Sequence, residues 1–360
     1  MQPADTELVR RYIERAAAVR LGDDPVRVAL TAMHGVGGQT AVEALARAGF
    51  SDVQVVAAQF EPDPDFPTVA FPNPEEPGAC DALLALAAEV GADIAIALDP
   101  DADRCAVGVP VGTGWRILTG DETGWLLGDY LLSQLDAGAV AQSTVVASSV
   151  VSSRMLAAIA ADFGARHVET LTGFKWLARA DEGLPGHTLI YAYEEAIGHC
   201  VDPAAVRDKD GISAAVLACD LVATLKAQGS SVPAALDILA RRHGVHVTAA
   251  VTAGVDDAAA VLTRLRERPP ARIAGIEVTG TDLLARPEPG RTDALVYTGR
   301  RGVLSLRVAI RPSGTEPKIK CYIEIRTTPT DDLDTARADA SALCRVVEAD
   351  AAGLLQRGPN

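Results

Sequence analysis

Residues 79–103, "ACDALLALAAEVGADIAIALDPDAD", contain an apolar run that ends abruptly in three carboxylates at alternate positions. Residues 79–92 predict a helix, and residues 93–98 predict a buried strand. Repeated alternation of strands and helices is typical of a parallel sheet with helices on both faces. This stretch therefore indicates an α/β fold, and it places the three carboxylates at the carboxyl end of a strand.

The same alternation extends in both directions from this stretch. Upstream, the pattern predicts strands over 26–32 and 53–59, and helices over 5–20 and 39–50. Downstream, it predicts strands over 143–150, 166–171 and 187–195, and helices over 122–135, 152–165, 173–182 and 210–229. The glycine-rich segment "TAMHGVGG", residues 31–38, is interpreted as a tight turn that needs positive φ at glycine, rather than as a ligand site for His34.

The pattern changes near residue 244. Strands are predicted over 244–252, 271–280, 302–310 and 318–327, and helices over 256–268 and 330–355. The strands over 302–310 and 318–327 alternate apolar and polar residues, so each should bury one face. The sequence thus predicts two consecutive α/β modules with mainly parallel sheets, residues 1–120 and 121–243. A smaller α+β C-terminal domain, residues 244–360, follows them.

The charge balance argues against several classes of partner. The chain has 33 basic and 48 acidic residues, a net charge of −15, so we expect neither a nucleic-acid partner nor an anionic membrane. Its six cysteines are scattered, without a CxxC pair, which predicts reduced thiols. Residues 1–20 are charged and helix-like, unlike a signal peptide, and we expect a cytoplasmic protein.

The acidic triplet is formed by Asp99, Asp101 and Asp103. Three converging carboxylates repel one another, and a hard divalent cation such as Mg²⁺ would relieve that repulsion. An EF-hand is excluded because Arg104 stands where the loop needs glycine, and Pro110 stands where it needs glutamate. A solvated acidic turn remains an alternative. An aspartyl phosphatase of the haloacid dehalogenase type is disfavoured because Arg104 follows the last aspartate, where a small hydroxyl or aliphatic residue is expected.

The segment "RPSGTEPK", residues 311–318, joins the last two predicted strands. Arg311 has a planar guanidinium that suits phosphate oxygens, and Ser313 and Thr315 offer hydroxyls. Gly314 lets backbone N–H groups turn inward, and Lys318 adds a positive charge. The segment predicts a site for a phosphate monoester; a polar surface turn is the alternative.

Two further segments follow predicted strands of the second module. Lys175 in "TGFKW" opens a helix, where it could lie near an anion. Glu195 and His199 lie in "YAYEEAIGHC", and a carboxylate can accept hydrogen bonds from adjacent sugar hydroxyls. Lys209 in "RDKDG" could neutralise a phosphate or transfer a proton. Taken alone, a lysine or histidine at a strand end is more often an ordinary surface residue, but these residues share a location at the strand ends of one module.

Taken in order, these motifs resemble those of the α-D-phosphohexomutase superfamily, the phosphoglucomutases and phosphomannomutases. "DPDADR" is similar to the magnesium loop of that family. "TGFKW" and "YEEAIGH" are similar to its sugar-recognition segments, and "RPSGTEPKIK" to its phosphate-clamping loop. The order and spacing agree across essentially the whole chain.

The resemblance implies a reaction and a role for each motif. Members move a phosphoryl group between the 1-position and the terminal hydroxyl of a sugar, through an enzyme phosphoserine and a bisphosphorylated intermediate. Asp99, Asp101 and Asp103 would hold Mg²⁺, Arg104 would stabilise the transferring phosphate, and Lys209 would handle the proton. The substrate-binding residues would be the following: Gly173, Phe174, Lys175, Glu195, His199, Arg311, Ser313, Gly314, Thr315 and Lys318.

Two departures from the family pattern matter. No TASHNP-like nucleophile loop is present, and the serines of "ASSVVSSR" lack its His-Asn-Pro context. The chain therefore resembles the second to fourth family domains, and we expect it to be inactive without a serine-bearing first domain. We expect that domain and a phosphosugar as its partners, and a monomeric or homodimeric state.

The second departure concerns the sugar. Ile197 stands where many members have serine in this segment, a form that resembles a branch with both phosphoglucomutases and phosphopentomutases. A hexose phosphate is the first interpretation. A phosphopentomutase and a non-catalytic phosphosugar-binding module remain alternatives.

Overall fold

The fold contains three β-sheets. Two of them lie in one part of the chain and the third lies in another. The computed structural model describes residues 5–135, 142–288, 290–313 and 317–356. The chain divides into two units: unit 1 comprises Met1–Ser149 and Leu156–Leu236, and unit 2 comprises Val150–Met155 and Asp237–Asn360. The predicted fold class is confirmed, with two sheets that contain parallel strands in unit 1 and an antiparallel sheet in unit 2.

The first sheet of unit 1 has the strand order β2-β1-β3-β4-β5. Its strands are β1 Arg27–Thr31, β2 Asp52–Val55, β3 Ile94–Leu98, β4 Cys105–Val111 and β5 Gly114–Ile117. The first three pair in parallel, whereas β4 and β5 add an antiparallel hairpin. All five residues of β3 are buried, as its continuous apolar run predicts.

The second sheet of unit 1 has the order β7-β6-β8-β9. Its strands are β6 Thr144–Ser149, β7 Arg166–Thr170, β8 Thr188–Glu194 and β9 Gly198–Cys200. Strands β6, β7 and β8 are parallel, and β9 returns antiparallel to β8. The short turn between β8 and β9 contains the predicted sugar segment.

Helices pack on both sheets. They are α1 Thr6–Ala17, α2 Gly38–Arg47, α3 Asp81–Val90, α4 Gly120–Ser133, α5 Met155–Phe163, α6 Phe174–Leu177 and α7 Gly211–Ala227. The next helix, α8 Val232–His243, begins in unit 1 and ends in unit 2. Helix α7 is buried over its first thirteen residues, and it packs against elements of both α/β modules, including α2, α4, β4 and β9. This explains why an almost entirely apolar helix lies in the centre of unit 1.

Unit 2 contains a six-stranded antiparallel sheet with the order β10-β15-β14-β13-β12-β11. The strands are β10 His246–Gly254, β11 Arg272–Ile273, β12 Ile276–Asp282, β13 Leu295–Arg301, β14 Leu304–Pro312 and β15 Lys318–Arg326. Helices α9 Ala258–Glu267 and α10 Leu333–Gln356 belong to the same unit. Leu306, Val308 and Ile323 share one buried cluster, as the alternation predicts. Ala309 and Tyr322, at the alternate positions, are buried in a second cluster, so the prediction that each strand buries only one face is wrong.

Several predicted elements need correction. The strand predicted over 271–280 is a hairpin of β11 and β12, because Ala274 and Gly275 adopt positive φ. The helix predicted over 173–182 is only Phe174–Leu177. The strand predicted over 53–59 ends at Val55, and a 3₁₀ turn covers Ala57–Gln59.

The six cysteines are free and buried, as predicted for reduced thiols. Among the described residues, no single helix is both long and apolar enough to cross a membrane. Helices α7 and α8 meet that standard only when they are taken together, and a bend of 90° separates them.

Candidate functional site

The acidic loop connects β3 to β4 at the carboxyl end of β3. Asp99 is buried, Asp103 is partly exposed and Asp101 is exposed. One carboxylate oxygen from each of the three residues lies within 4.8 Å of the others. Ala102 adopts a left-handed φ of 59°, and its N–H donates to the carbonyl of Asp99 at 3.0 Å. This tight turn brings the three carboxylates together.

Neighbouring cations compensate the charge of the acidic loop. The backbone N–H of Arg104 donates to Asp99 Oδ1 at 3.0 Å, and its Nε donates to Oδ2 at 2.6 Å. Burial raises the pKa of Asp99, and the Arg104 guanidinium offsets part of that rise. Lys209 Nζ lies 2.9 Å from Asp103 Oδ2. Three adjacent carboxylates form a hard oxygen donor set, so these residues fit a hard divalent cation.

A proline-rich loop fixes the far side of the Arg104 guanidinium. Arg104 Nη1 donates to Asn73 Oδ1 at 3.3 Å and lies 3.6 Å from Glu75 Oε2. Sequence analysis missed Asn73 and Glu75 because the segment containing them has no regular periodicity. With Asp99, these contacts hold the guanidinium from both ends.

The glycine-rich segment 31–38 packs directly on the acidic loop. Val36 N–H donates to the carbonyl of Pro100 at 2.9 Å, and a Cβ on Gly35 would lie 2.5 Å from the Pro100 backbone. The prediction of positive φ at glycine is wrong, because Met33 and His34 adopt it instead. The glycines are needed for close approach. His34 is buried and its Nε2 lies 2.8 Å from Thr68 Oγ1, which agrees with a structural role.

Lys209 connects the acidic loop to the predicted sugar segment. Its side chain lies across Gly198, where a Cβ would be 2.5 Å from Lys209 Cδ and 3.1 Å from Glu194 Cγ. Its ammonium is 5.4 Å from the ring centroid of Phe174. Lys209 therefore has Asp103, Glu194 and Phe174 as neighbours, from the acidic loop, the end of β8 and the start of α6.

Two adjacent carboxylates lie at the carboxyl end of β8: Glu194 is its last residue and Glu195 follows it. Burial and the neighbouring Glu195 raise the pKa of Glu194 to about 7, although the Lys209 ammonium and a hydrogen bond from the Gly173 N–H lower it. Glu195 Oε2 accepts a hydrogen bond from Ser149 Oγ at 3.1 Å. Sequence analysis quoted both residues but assigned a role only to Glu195. The burial of Glu194 depends on how β8, β9 and α6 pack, which the local sequence does not reveal.

Ile197 and His199, in the same segment, are buried, whereas the two glutamates at the end of β8 are partly exposed. Ile197 has a φ of 54° and is buried in the core of the first module, while its carbonyl accepts the Cys105 N–H at 3.1 Å. His199 is 0% exposed; its Nδ1 lies 3.0 Å from the Tyr191 hydroxyl, and burial lowers its pKa to about 3. The structure therefore places His199, a predicted substrate contact, as a neutral side chain behind the loop.

The remaining residues of "TGFKW" begin helix α6. Gly173 has a φ of 103° at the start of the helix, and Phe174 is buried. Lys175 is exposed, with its Nζ 5.5 Å from the ring centroid of Trp176. Phe174 therefore belongs to the cluster around Lys209, whereas the contact found for Lys175 is with an exposed tryptophan.

The predicted phosphate loop closes the β14–β15 hairpin of unit 2. Ser313 N–H donates to the carbonyl of Lys318 at 2.8 Å. Arg311 Nη2 donates to the Tyr322 hydroxyl at 3.3 Å, and its buried Nε has no hydrogen-bond partner among the described residues. Gly314 and Thr315 lie outside the described residues. Arg311, Ser313 and Lys318 thus lie at one hairpin end, an arrangement that suits an anion.

Three family models match consecutive parts of the chain. Residues 10–112 match "Phosphoglucomutase/phosphomannomutase, alpha/beta/alpha domain II", and residues 119–243 match domain III of the same description. Residues 253–337 match its C-terminal domain. The acidic loop, the sugar segment and the phosphate loop each fall within a different matched range.

Named proteins from several organisms are similar to this chain. A Haemophilus influenzae protein named "Probable phosphomannomutase" is 41% identical over 341 residues, which cover 92% of this chain and 67% of that protein. The phosphopentomutase of Mus musculus is 35% identical, covering 91% and 57%. A phosphoglucomutase of Staphylococcus aureus strain N315 is 30% identical, covering 86% and 58%. The chain thus spans little more than half to two thirds of these relatives.

Solved structures share the fold at lower identity. A phosphoglucomutase/phosphomannomutase family protein from Burkholderia thailandensis superimposes with a TM-score of 0.64 at 19% identity, covering 96% of this chain and 65% of that one. The open form of parafusin from Paramecium gives a TM-score of 0.65 at 20% identity, covering 98% and 62%.

Proposed function

Because the chain belongs to the phosphoglucomutase/phosphomannomutase family, we propose that it forms the metal-binding, sugar-binding and phosphate-binding parts of a phosphosugar mutase. The complete enzyme would move a phosphoryl group between the 1- and 6-positions of a hexose. It would do so through a phosphoserine and a bisphosphate intermediate. One observation carries the proposal: Lys209 links the acidic loop to the sugar segment, 2.9 Å from Asp103 and beside Glu194.

In unit 1, each group has a defined task. Asp99, Asp101 and Asp103 would hold Mg²⁺, which when bound supplies positive charge to a phosphoryl group in transfer. Arg104, fixed between Asp99 and Asn73, would bind oxygens of the transferring phosphoryl group. Glu195 would accept hydrogen bonds from sugar hydroxyls. Lys209 would hold or move the proton of the reacting hydroxyl.

In unit 2, the β14–β15 hairpin would hold the phosphate that is not being transferred. Within the part of the chain that the structure describes, Arg311 Nε has no hydrogen-bond partner, and Lys318 lies at the same end of the hairpin. A guanidinium binds phosphate through two parallel N–H groups, which also fixes the orientation of the sugar. His199 would support the sugar loop through Tyr191 instead of touching the substrate.

The nucleophilic serine would come from the first domain of the family. We propose that this chain alone does not turn over, that it works with that domain in the cytoplasm, and that it is monomeric or homodimeric. The second to fourth family domains alone would still bind Mg²⁺ and a phosphosugar, because their ligand residues are all their own.

Coupled assays test this proposal. The chain, alone and joined to the serine-bearing first domain of a relative, is given Mg²⁺ with glucose 1-phosphate, mannose 1-phosphate or ribose 1-phosphate. We expect turnover only from the joined protein, and we expect substitution of its serine by alanine to abolish turnover. Turnover by the chain alone would contradict the assignment of the nucleophile.

The same assays decide between the alternatives. The 35% identity to a phosphopentomutase favours ribose 1-phosphate as the second candidate substrate, and a higher kcat/KM for it than for the two hexose phosphates would establish that activity. Binding of all three sugars without turnover in the joined protein would indicate a non-catalytic module. An aspartyl phosphatase would instead release inorganic phosphate from the chain alone.

A further inference from the structure

Lys209 forms an ion pair with a residue assigned to the metal. Its Nζ lies 2.9 Å from Asp103 Oδ2 and 3.7 Å from Asp208 Oδ1. The Lys209 side chain is 18% exposed, and its methylene groups are packed across Gly198. The ammonium is therefore held close to the acidic loop by the packing of its own chain.

We propose that Lys209 is a tethered cation that competes with the divalent metal for Asp103, and that metal binding moves its ammonium toward Glu194. This inference rests on the metal site of the proposed function. Asp103 is both a member of the acidic triplet and the acceptor of the shortest ion pair of Lys209. A cation bound to that carboxylate would lie within a few ångströms of the ammonium, and the two like charges would repel each other.

Glu194 offers the displaced ammonium a second partner. Gly198 has no side chain, and the position that its Cβ would occupy lies 2.5 Å from Lys209 Cδ and 3.1 Å from Glu194 Cγ. A rotation about the last side-chain bonds of Lys209 therefore moves the charge between the two carboxylates without displacing the backbone. The Phe174 ring centroid, 5.4 Å from the ammonium, offers it an additional aromatic contact.

The exchange has a consequence for substrate binding. With the metal bound, the Lys209 ammonium would neutralise Glu194 and orient it beside Glu195, in the sugar segment. The ammonium of Lys209 would thus pair with Glu194, in the sugar segment, only after the metal has bound. This coupling predicts that the metal binds before the sugar phosphate. It also predicts that bound metal increases the affinity of the protein for the sugar phosphate.

Calorimetric titration with Mg²⁺ tests the competition on the chain as it exists. Removing the charge in Lys209→Met should tighten Mg²⁺ binding by about tenfold, because the repulsion and the competing ion pair both disappear. Lys209→Arg keeps the charge and should stay within about twofold of the unsubstituted chain. An unchanged or weaker affinity in Lys209→Met would overturn the inference.

Lys226→Met is the matched control. Lys226 lies in the last turn of α7, whereas Lys209 precedes that helix. The Nζ of Lys226 donates to both carboxylate oxygens of Asp93, at 2.8 and 2.7 Å. The variant removes the same formal charge and should leave Mg²⁺ affinity unchanged. If it tightens binding as much as Lys209→Met, net charge explains the effect and the competition is rejected. If the unsubstituted chain binds neither Mg²⁺ nor Mn²⁺, the metal site of the proposed function fails instead.

A second measurement does not depend on the folding of Lys209→Met. Reductive methylation with ¹³C-formaldehyde labels the five lysines and keeps their positive charge. The Lys209 signal, identified by its absence in Lys209→Arg, should shift on addition of Mg²⁺, while the Lys226 signal should not. A Lys209 signal that stays in place at saturating Mg²⁺ would show that its ammonium does not move.

Discussion

Asp101 is the exposed carboxylate of the acidic loop, so its removal tests the metal site with little risk to the fold. In Asp101→Asn we expect Mg²⁺ affinity to fall at least about tenfold, because one of three converging negative charges is lost. Asp65→Asn removes an equally exposed charge from the same module and should not change the affinity. Equal Mg²⁺ binding by both variants in calorimetry would place the cation elsewhere.

Glu194 should make stability depend on pH. Burial and the Glu195 carboxylate raise its pKa from 4.5 to about 7, so between these values the folded chain holds a proton that the unfolded chain has released. The contribution of Glu194 to the free energy of unfolding therefore falls as pH rises from 4.5 to 7. Relative to Glu194→Gln, the unsubstituted chain should lose up to about 3 kcal/mol between pH 5 and pH 8.

Urea denaturation in EDTA at the two pH values measures this difference. Glu194→Gln imitates the protonated side chain, so titrating groups that do not interact with Glu194 contribute equally to both proteins and cancel. A difference between the two proteins that does not change with pH would mean that Glu194 ionises at its ordinary value.

Predictability from sequence varies between residues of the same site. The acidic triplet and Lys209 could be found because they follow a strand or precede a helix, and such positions meet at one edge of an α/β sheet. Asn73, Glu75 and Glu194 acquire their roles from the path of a loop without periodicity or from burial by another element. No local pattern encodes those contacts.

Helix α7 holds Lys209 in place through its N-cap. Asp210 Oδ1 accepts the N–H groups of Ile212 and Ser213 at 3.1 and 3.2 Å, and it also accepts the Tyr12 hydroxyl at 2.7 Å. The carboxylate thus ties α1 to the start of α7, one residue after Lys209. Disturbing the cap should therefore affect both stability and the position of Lys209.

Asp210→Ala should lower the free energy of unfolding by about 2–3 kcal/mol, the sum of a lost cap and a lost side-chain hydrogen bond. Tyr12→Phe removes only the second of these and should cost about 1 kcal/mol. Asp208→Asn, an exposed neighbour, serves as the control and should change little. Urea denaturation gives all three values; an equal loss in Asp210→Ala and Tyr12→Phe would show that the cap contributes nothing.

At the level of elements, periodicity predicted most helices and the central strands, but it missed helix α8 and strands β4, β5, β9 and β13. Gly108 and Pro110 interrupt the apolar pattern of β4. The structure needs Gly108 because a Cβ there would lie 3.0 Å from the Cβ of Ala95 on the neighbouring strand. Gly108 thus weakens the apolar pattern that would predict β4, but it also lets β3 and β4 lie close together. That requirement comes from the neighbouring strand, so the sequence pattern of β4 alone does not reveal it.

The whole molecule divides its charge unequally between the two units. Unit 1 has 14 basic and 32 acidic residues, a net charge of −18, whereas unit 2 has 19 basic and 16 acidic residues, a net charge of +3. The candidate cation site lies in the acidic unit, and the candidate phosphate site lies in the basic one. Each unit therefore attracts its own proposed ligand, a property that the net charge of −15 conceals.

Each unit also contains a buried carboxylate that joins distant parts of the chain. In unit 2, Glu324 accepts hydrogen bonds from Ser153 Oγ and from the Arg154 backbone and guanidinium, at 2.7–2.9 Å. It thereby attaches the segment Val150–Met155 to the sheet. In unit 1, Asp220 accepts the Leu21 N–H and the Tyr130 hydroxyl, both at 2.8 Å.

These two carboxylates predict that the units can be destabilised separately. Because each unit has its own buried core, calorimetry should resolve two unfolding transitions. Glu324→Gln should destabilise unit 2 by about 3 kcal/mol, because the Arg154 guanidinium loses its ion pair with a buried carboxylate, and it should lower one transition by roughly 10 °C. Asp220→Asn should lower the other.

The double variant gives the decisive comparison, because its two sites share none of the hydrogen-bond partners found for them in the described ranges. If the units unfold independently, the double variant should show both shifts at their single-variant sizes. A single transition that either substitution lowers would mean that the two units unfold as one cooperative structure. The hydrogen bonds of Glu324 would then stabilise the whole chain and not unit 2 alone.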